Sequence, residues 1–255
     1  MRVGLLGLGA IARGVLRLAR AEDDLQFVGA LVADRTKPRS STLPPICATV
    51  EDLIATRPDV VVEIGGHAAL ACHGPAVLRA GIDLLLVSVG AMADPAVEQA
   101  IVGAACAGHS RAIVVSGAIG GLDAISAAAV GGLSSVTHTT RKPARTLLGD
   151  AATLQAPCEI FSGSAREGAL RFPESINVAA AVSLAGIGLD RTQVKVIADP
   201  GVECNMHEVV AKGAFGELRF EIRNIPTEDN PRTGRLVAMS VLHALRRRQA
   251  RVVVG

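Results

Sequence analysis

A polar cluster late in the chain has the residue types needed to move a proton. The stretch Asn205-Met206-His207-Glu208 follows Asp199 on otherwise apolar ground. An imidazole whose pKa lies near neutrality is the usual general acid or base in water. Asp199 and Glu208 are close enough in sequence to orient the ring of His207. Spacing alone also allows a structural histidine with satisfied hydrogen bonds, so both interpretations stay open at this stage.

A second polar cluster, Pro173–Val178, precedes an apolar helical stretch. Asn177 could bind the amide of a cofactor through both halves of its side chain, or it could cap the helix. The cations Arg141, Lys142 and Arg166 suit a dicarboxylate substrate, because unpaired carboxylates are costly to bury. Our candidates for contact with such a substrate are Lys142, Asn205 and Thr233.

The first fourteen residues, MRVGLLGLGAIARG, are typical of a nucleotide-binding turn between a strand and a helix. Gly7, Gly9 and Ala12 fill the small positions of the G-x-G-x-x-G/A fingerprint, which allow a tight turn, a close pyrophosphate and close helix packing. The free N–H groups at the helix start would face the phosphates. We therefore expect Gly7, Gly9, Ala10 and Ile11 to bind a cofactor. A purely structural turn would favour the same small residues.

An acidic and a basic residue follow the second predicted strand. Asp34 lies near the place, about 20 residues beyond the glycine turn, where an acid holds a ribose 2′-OH. Arg35 is adjacent and could pair with a 2′-phosphate. Both are predicted cofactor contacts, and both NAD and NADP stay open. Ordinary solvated loop residues are the alternative.

The composition favours a core of aliphatic residues and argues against several classes of protein. Of the 255 residues, 49% are hydrophobic and 2% are aromatic, which suits parallel strands covered by helices. The net charge is +2, without a basic stripe alternating with aromatic residues, so no nucleic-acid partner is expected. No apolar run reaches the length of a membrane span, and the first strand begins without a leader. We expect a cytoplasmic protein with no membrane partner.

The five cysteines are scattered and have no C-x-x-C spacing. They are expected to be free thiols in a reducing compartment. His67, Cys72 and His73 lie in one apolar helical stretch without a partner cluster, so no metal site is predicted.

Strands and helical stretches alternate through the first half of the chain, which predicts parallel βαβ units. The predicted strands are Val3–Leu6, Phe27–Val32, Val60–Ile64, Leu84–Ser88 and Ala112–Val115, and the predicted helices are Ile11–Arg20, Val50–Ala55, Gly74–Ala80 and Pro95–Gly108. Beyond residue 120, a predicted helix at Leu122–Val130 is followed by a predicted strand at Val136–Arg141. Apolar residues there fall at alternate positions, as in Leu218–Ile222, which is typical of a mixed or antiparallel sheet.

These patterns predict an α/β protein with two domains. An N-terminal Rossmann domain, a doubly wound parallel sheet, takes residues 1–119 and is completed by a C-terminal helix at 231–255. A second, α+β domain with a mixed sheet takes residues 120–230 and contains the candidate catalytic histidine, and the family resemblance below also implies that this domain provides the dimer surface.

Six segments, in their order and separation, resemble the L-aspartate dehydrogenase family over nearly the whole chain. They are GLLGLGAIA, SGAIGGLDA, TRKP, SINVAAAVSLAGIGLD, VIADPGVECNMHE and NPRTGRLVAMSVL. The resemblance implies an NAD- or NADP-dependent homodimer that reversibly converts L-aspartate to iminoaspartate. Iminoaspartate hydrolyses to oxaloacetate and ammonia, or feeds NAD biosynthesis through quinolinate. The resemblance also places the catalytic histidine at His207 and cofactor contacts at Ala118 and Asn177.

Two other functions compete with this interpretation. A related Rossmann reductase acting on homoserine or a cyclic imine would share the glycine turn, but not the INVAA and ADP…N-x-H-E segments together. A non-catalytic NAD(P)-binding regulator would bind the nucleotide without turnover, and replacement of His207 would then leave its function intact.

Overall fold

The computed structural model describes residues 1–37, 40, 43–149, 154–172, 176–227, 230 and 233–254, and the structural statements below refer to these residues. The chain divides into two compact units. Unit 1 comprises Met1–Gly117 and Val237–Gly255, and unit 2 comprises Ala118–Leu236. Part of the polar cluster at 173–175, and the start of the predicted closing helix at 231–232, lie outside the described residues.

Unit 1 is built on a parallel sheet. Its strands are β1 (Arg2–Leu6), β2 (Gln26–Leu31), β3 (Ile46–Cys47), β4 (Val60–Glu63), β5 (Asp83–Leu86) and β6 (Ala112–Val114). Its helices are α1 (Ala10–Leu18), α2 (Val50–Ala55), α3 (His67–Arg79) and α4 (Pro95–Gly108), with 3-10 turns at Ala21–Asp23 and Val89–Ala93. The strand order β3-β2-β1-β4-β5-β6, with every pair parallel, is that of the doubly wound Rossmann sheet. The predicted fold class of the N-terminal part is therefore confirmed.

The core of unit 1 lies around its central strands. All four residues of β4 are buried, as expected for a parallel strand covered on both faces. Val3 and Leu85 of the neighbouring strands pack in the same cluster as Val15 of α1. The last helix, α9 (Arg235–Gln249), adds Val241 and Leu245 to that cluster. The end of the chain thus contributes to the core of unit 1.

Unit 2 is built on a mixed sheet. Its strands are β7 (Leu133–Pro143), β8 (Cys158–Ser164), β9 (Gln193–Asp199), β10 (Asn205–Gly213) and β11 (Gly216–Asn224). Its helices are α5 (Leu122–Val130), α6 (Ala144–Leu148), α7 (Ala165–Arg171) and α8 (Asn177–Ala185). The strand order is β11-β10-β7-β9-β8, in which β7 and β9 are parallel and the other pairs antiparallel. The predicted mixed sheet is therefore confirmed.

One face of the unit 2 sheet packs against α5 and α8. Val136 of β7 and Val209 of β10 form a buried cluster with Ile125 of α5 and with Val178 and Val182 of α8. Because side chains alternate along a strand, every second residue of β7 and β10 points to this covered face. The candidate catalytic residue lies on one of these two strands.

Several elements differ from the sequence prediction, and β3 and α6 are among those that it lacked. β8 and α7 were not predicted, because β8 is an edge strand, paired only with β9, whose residues are at most half-buried and show no apolar alternation. The helix predicted to start at Gly74 begins two turns earlier, at His67. Pro75, which resembles the first residue of a helix, lies inside α3.

Candidate functional site

The turn between β1 and α1 has the shape of a phosphate cradle. Gly7 has a φ of +103°, and a Cβ there would lie 2.6 Å from Gly65 Cα, so this position requires glycine. Gly9 precedes α1 with an extended backbone, and no side chain caps the helix. A Cβ on Gly9 would meet no atom within 4 Å. The first amides of α1, at Ala10 and Ile11, therefore face open space, and the turn fits the pyrophosphate of a dinucleotide.

Glu63, which the sequence analysis missed, ties together the loops that follow β4 and β5. Its carboxylate is buried and accepts hydrogen bonds from the N–H groups of Gly65, Gly66 and Ser88 at 2.9, 3.0 and 2.9 Å. The Ser88 hydroxyl donates a fourth, at 2.9 Å. Burial raises the pKa of Glu63, and these hydrogen bonds oppose the rise. A carboxylate that ends a buried strand and precedes two glycines was the signal that could have found it.

Asp34 and Arg35 lie three and four residues beyond the end of β2, in the place expected for residues that bind the adenosine ribose. Asp34 Oδ1 accepts hydrogen bonds from the Thr36 N–H at 3.0 Å and from the Thr36 hydroxyl at 2.6 Å. Lys37 Nζ lies 3.9 Å from the other oxygen of Asp34. These contacts shape the loop, and they leave NAD and NADP as equal candidates.

His207 is the third residue of β10 and forms a pair with His138 of β7. His207 Nδ1 lies 3.2 Å from His138 Nε2, and the two rings are stacked with their planes 20° apart. In the register of β10 and β7, His207 is opposite Thr140 and His138 is opposite Val209, so the two histidines are diagonal neighbours on the covered face. His138 is 0% exposed and His207 is 5% exposed.

Both histidines are neutral at pH 7. Burial lowers the pKa of His138 to about 3, with a smaller contribution from Lys142. Burial also lowers the pKa of His207 well below 6.5, and the nearby His138 and Lys142 add to that effect. A neutral imidazole has one bare nitrogen that can accept a proton and one N–H that can donate a hydrogen bond. His207 is therefore in the state that a general base requires.

The expectation that Asp199 and Glu208 orient His207 is wrong. Glu208 follows His207 in the strand and so points to the opposite face, where it lies 3.7 Å from Arg219. Asp199 accepts a hydrogen bond from Arg141 at 2.8 Å, which lowers the pKa of that carboxyl.

The actual partner, His138, lies 69 residues before His207. It belongs to a period-two run on β7, Val136, His138, Thr140 and Lys142, whose side chains share the covered face. Sequence reasoning predicted this strand, but the pairing of β7 with β10 carries no short-range signal.

One cavity of about 150 Å³ in unit 2 is lined by one of the three candidate substrate contacts, Asn205, whereas Lys142 and Thr233 are not among its lining residues. Asn205 lines this cavity, and it precedes His207 by two residues on the same face of β10. The buried Lys142 precedes the lining residue Pro143, and Thr233 precedes the lining residue Gly234. Further lining side chains with hydrogen-bonding or charged groups are Arg145, Thr146, Glu203, Cys204 and Asn224.

Ala118 and Asn177, the cofactor contacts implied by the family resemblance, occupy defined positions in unit 2. The buried Asn224 donates a hydrogen bond from Nδ2 to the Ala118 carbonyl oxygen at 3.0 Å and thereby fixes the turn before α5. Asn177 is the first residue of α8, whose N-cap is Ile176 without a side-chain cap. The alternative role of Asn177 as the N-cap is therefore wrong.

The described residues show whether the protein has a metal site or a membrane-spanning helix. Within the described ranges, no cluster of three or more His, Cys, Asp or Glu is arranged to hold a metal ion. None of the described helices has the length and apolar character needed to cross a bilayer.

Comparison with known proteins gives matches over both halves of the chain. Residues 123–248 match the family described as aspartate dehydrogenase, C-terminal, and residues 7–115 match the family described as homoserine dehydrogenase, NAD binding domain. An L-aspartate dehydrogenase of Cupriavidus taiwanensis is 42% identical over an alignment of 256 positions, which covers 96% of this chain and 96% of that enzyme. An L-aspartate dehydrogenase of Ruegeria pomeroyi is 42% identical over an alignment of 260 positions, which covers 99% of this chain and 94% of that enzyme.

A solved structure is also similar to this chain over its whole length. The crystal structure of aspartate dehydrogenase from Thermotoga maritima superimposes with a TM-score of 0.82 at 25% sequence identity. The match covers 100% of this chain and 99% of that chain.

Proposed function

This chain belongs to the L-aspartate dehydrogenase family and is an NAD(P)-dependent oxidoreductase, and on that premise we propose how its residues carry out the reaction. L-Aspartate is oxidised to iminoaspartate, which hydrolyses to oxaloacetate and ammonia. NAD or NADP, when bound, would supply the acceptor for the hydride that leaves the substrate Cα. The residues of the chain must bind the two carboxylates, orient the Cα–H bond and remove the proton from nitrogen.

His207 removes that proton. The observation that supports this role is the buried, neutral imidazole, which His138 holds two residues along β10 from the cavity-lining Asn205. Oxidation of a CH–NH group to C=N releases one hydride and one proton, and His207 Nε2 accepts the proton because Nδ1 is engaged with His138. In the direction of reductive amination the same nitrogen returns it.

Lys142, Asn205 and Thr233 hold the substrate. Lys142 supplies a buried positive charge that can bind a substrate carboxylate. Asn205 and Thr233 supply an amide and a hydroxyl that can bind carboxylate oxygens. Arg145 lines the same cavity and offers a second cation for a substrate with two carboxylates.

Cofactor contacts are assigned in each unit separately. In unit 1, Gly7, Gly9, Ala10 and Ile11 bind the pyrophosphate, and the uncapped start of α1 supports this assignment. Asp34 and Arg35 bind the adenosine ribose or its 2′-phosphate. In unit 2, the family resemblance implies cofactor contacts at Ala118 and Asn177.

The cellular setting follows the family resemblance. We infer a homodimer that acts in the cytoplasm and supplies iminoaspartate to NAD biosynthesis through quinolinate. The five cysteines are all free thiols, which supports a reducing compartment.

A substrate panel tests this function. The purified protein is mixed with NAD or NADP and with L-aspartate, D-aspartate, homoserine or malate, and the absorbance of the reduced nicotinamide is recorded. We expect reduction with L-aspartate and, in reverse, oxidation of the reduced cofactor by oxaloacetate with ammonia. Turnover of homoserine alone would favour a related Rossmann reductase. Tight nucleotide binding without turnover of any substrate would favour a regulator.

A further inference from the structure

Four polar side chains interrupt the covered, apolar face of the unit 2 sheet. His138, Thr140 and Lys142 lie on β7 and His207 lies on β10, each at most 8% exposed. Burial of polar groups is costly unless they find hydrogen-bond partners. Among the described residues, His138 Nδ1 and Thr140 Oγ1 are buried and have none. Such unsatisfied groups in a native fold call for an explanation other than stability.

We propose that His138 is the positioning residue of His207. Its Nε2 holds His207 Nδ1 at 3.2 Å, which fixes both the orientation of the His207 ring and the nitrogen on which its hydrogen lies. This inference rests on the proposed role of His207 in moving the substrate proton. His138 itself touches neither the substrate nor the cofactor.

The hydrogen positions follow from the chemistry of imidazole. A neutral imidazole carries one N–H and a protonated one carries two. After His207 takes the substrate proton on Nε2, its Nδ1 also bears hydrogen and must donate to His138 Nε2. His138 then keeps its own single hydrogen on Nδ1, the atom that has no other partner. The proton moves only between the substrate nitrogen and His207, and His138 gains and loses none.

A neutral partner has a different effect on His207 from that of a carboxylate. A carboxylate beside a histidine favours the imidazolium and raises its pKa. The titratable groups that act on His207 are His138 and Lys142, and neither favours an additional positive charge. The residues opposite this pair on β9 and β11, Val194 and Ile222, are apolar. His207 is thus a base that releases its proton readily, as a reversible reaction requires.

Three substitutions of His138 separate positioning from packing. His138→Leu removes the acceptor but fills the apolar face, and we expect kcat to fall up to about 10²-fold while KM for L-aspartate changes little. In His138→Gln the amide oxygen can reach the position of Nε2, so we expect this variant to keep most of the kcat that His138→Leu loses. His138→Glu places a carboxylate there, and we expect the acid limb of the pH–rate profile to move up by about one unit or more. Thr139→Val, on the opposite face of β7, is the matched control and should leave all three quantities unchanged.

A spectroscopic readout makes the test independent of turnover. Nitrogen-15 NMR of the imidazoles in the cofactor-free protein should show His207 with hydrogen on Nδ1 in the wild type, and a mixture of both N–H forms in His138→Leu. The proposal is overturned if His138→Leu keeps the wild-type N–H form, rate and pH profile while His207→Ala loses turnover. If His207→Ala keeps turnover, the proposed function itself is wrong. Thermal unfolding of each variant shows whether a loss of activity is caused by a loss of folding alone.

Discussion

Acidification below about pH 6.5 is expected to destabilise unit 2, because His138 and His207 are buried in their neutral forms. An unfolded chain restores the ordinary histidine pKa of 6.5, whereas the folded pKa of His138 is about 3 and that of His207 is also lowered. Below pH 6.5 the unfolded chain therefore binds protons that the folded chain does not. The free energy of unfolding is highest above the unfolded pKa and decreases as the pH falls towards the folded one.

The size of the effect follows from these two pKa values. For His138 the linkage is negligible at pH 7.5 and amounts to about 2 kcal/mol at pH 5, so about 2 kcal/mol of stability is lost over this range. His207 acts with the same sign and adds to the loss. A total unfolding free energy of about 5–15 kcal/mol makes such a loss easy to measure. Carboxylates with lowered pKa, such as Asp199, contribute only nearer their own ordinary pKa of 3.8.

Urea unfolding at half-unit steps from pH 8 to pH 5 measures the effect. We expect the unfolding free energy of the wild type to fall through this range and that of His138→Leu to fall by about 2 kcal/mol less. His243→Gln, which removes an exposed histidine of α9, is the matched control and should run parallel to the wild type. If His138→Leu also runs parallel to the wild type, the assignment of His138 as a buried neutral histidine is refuted.

Three further predictions concern the remaining parts of the site. Gly7→Ala should lower the unfolding free energy of unit 1, measured by urea titration, by about 1–3 kcal/mol, because alanine is strained at positive φ. Gly9→Ala should leave that free energy unchanged but weaken dinucleotide binding, measured by calorimetry, by about tenfold. Glu63→Gln replaces one acceptor oxygen by a donor and should cost about 2 kcal/mol in the same titrations, so a neutral result would refute its bridging role. Asn224→Ala leaves the Ala118 carbonyl without its donor and should weaken cofactor binding, and unchanged affinity would contradict a role for that turn.

The parts of the fold that sequence predicted best are those where a local pattern determines the outcome. The bounds of α2, α4 and α5 agree to the residue with the predicted helices, because each has clear signals at its ends. Thr49 and Asp94 cap α2 and α4 through side-chain hydrogen bonds, and a glycine precedes α5. Local chemistry was sufficient at these positions.

The parts that sequence missed depend on tertiary contacts. His138 was overlooked because its significance lies in the pairing of β7 with β10, and register between distant strands has no local signature. Glu63 was overlooked for a similar reason, since two of its four donors come from Ser88, 25 residues away. The edge strand β8 gave no alternating pattern because neither of its faces is fully buried.

The turnover of His207→Ala tests the central claim most directly. Wild type and variant are each given saturating L-aspartate and cofactor, and the growth of the reduced-nicotinamide absorbance is followed, with cofactor affinity measured in parallel. We expect kcat to fall by about 10²- to 10⁴-fold while cofactor affinity stays within twofold or so of the wild type. A variant that binds cofactor normally and turns over L-aspartate at the wild-type rate would contradict the assignment of His207 as the residue that moves the proton.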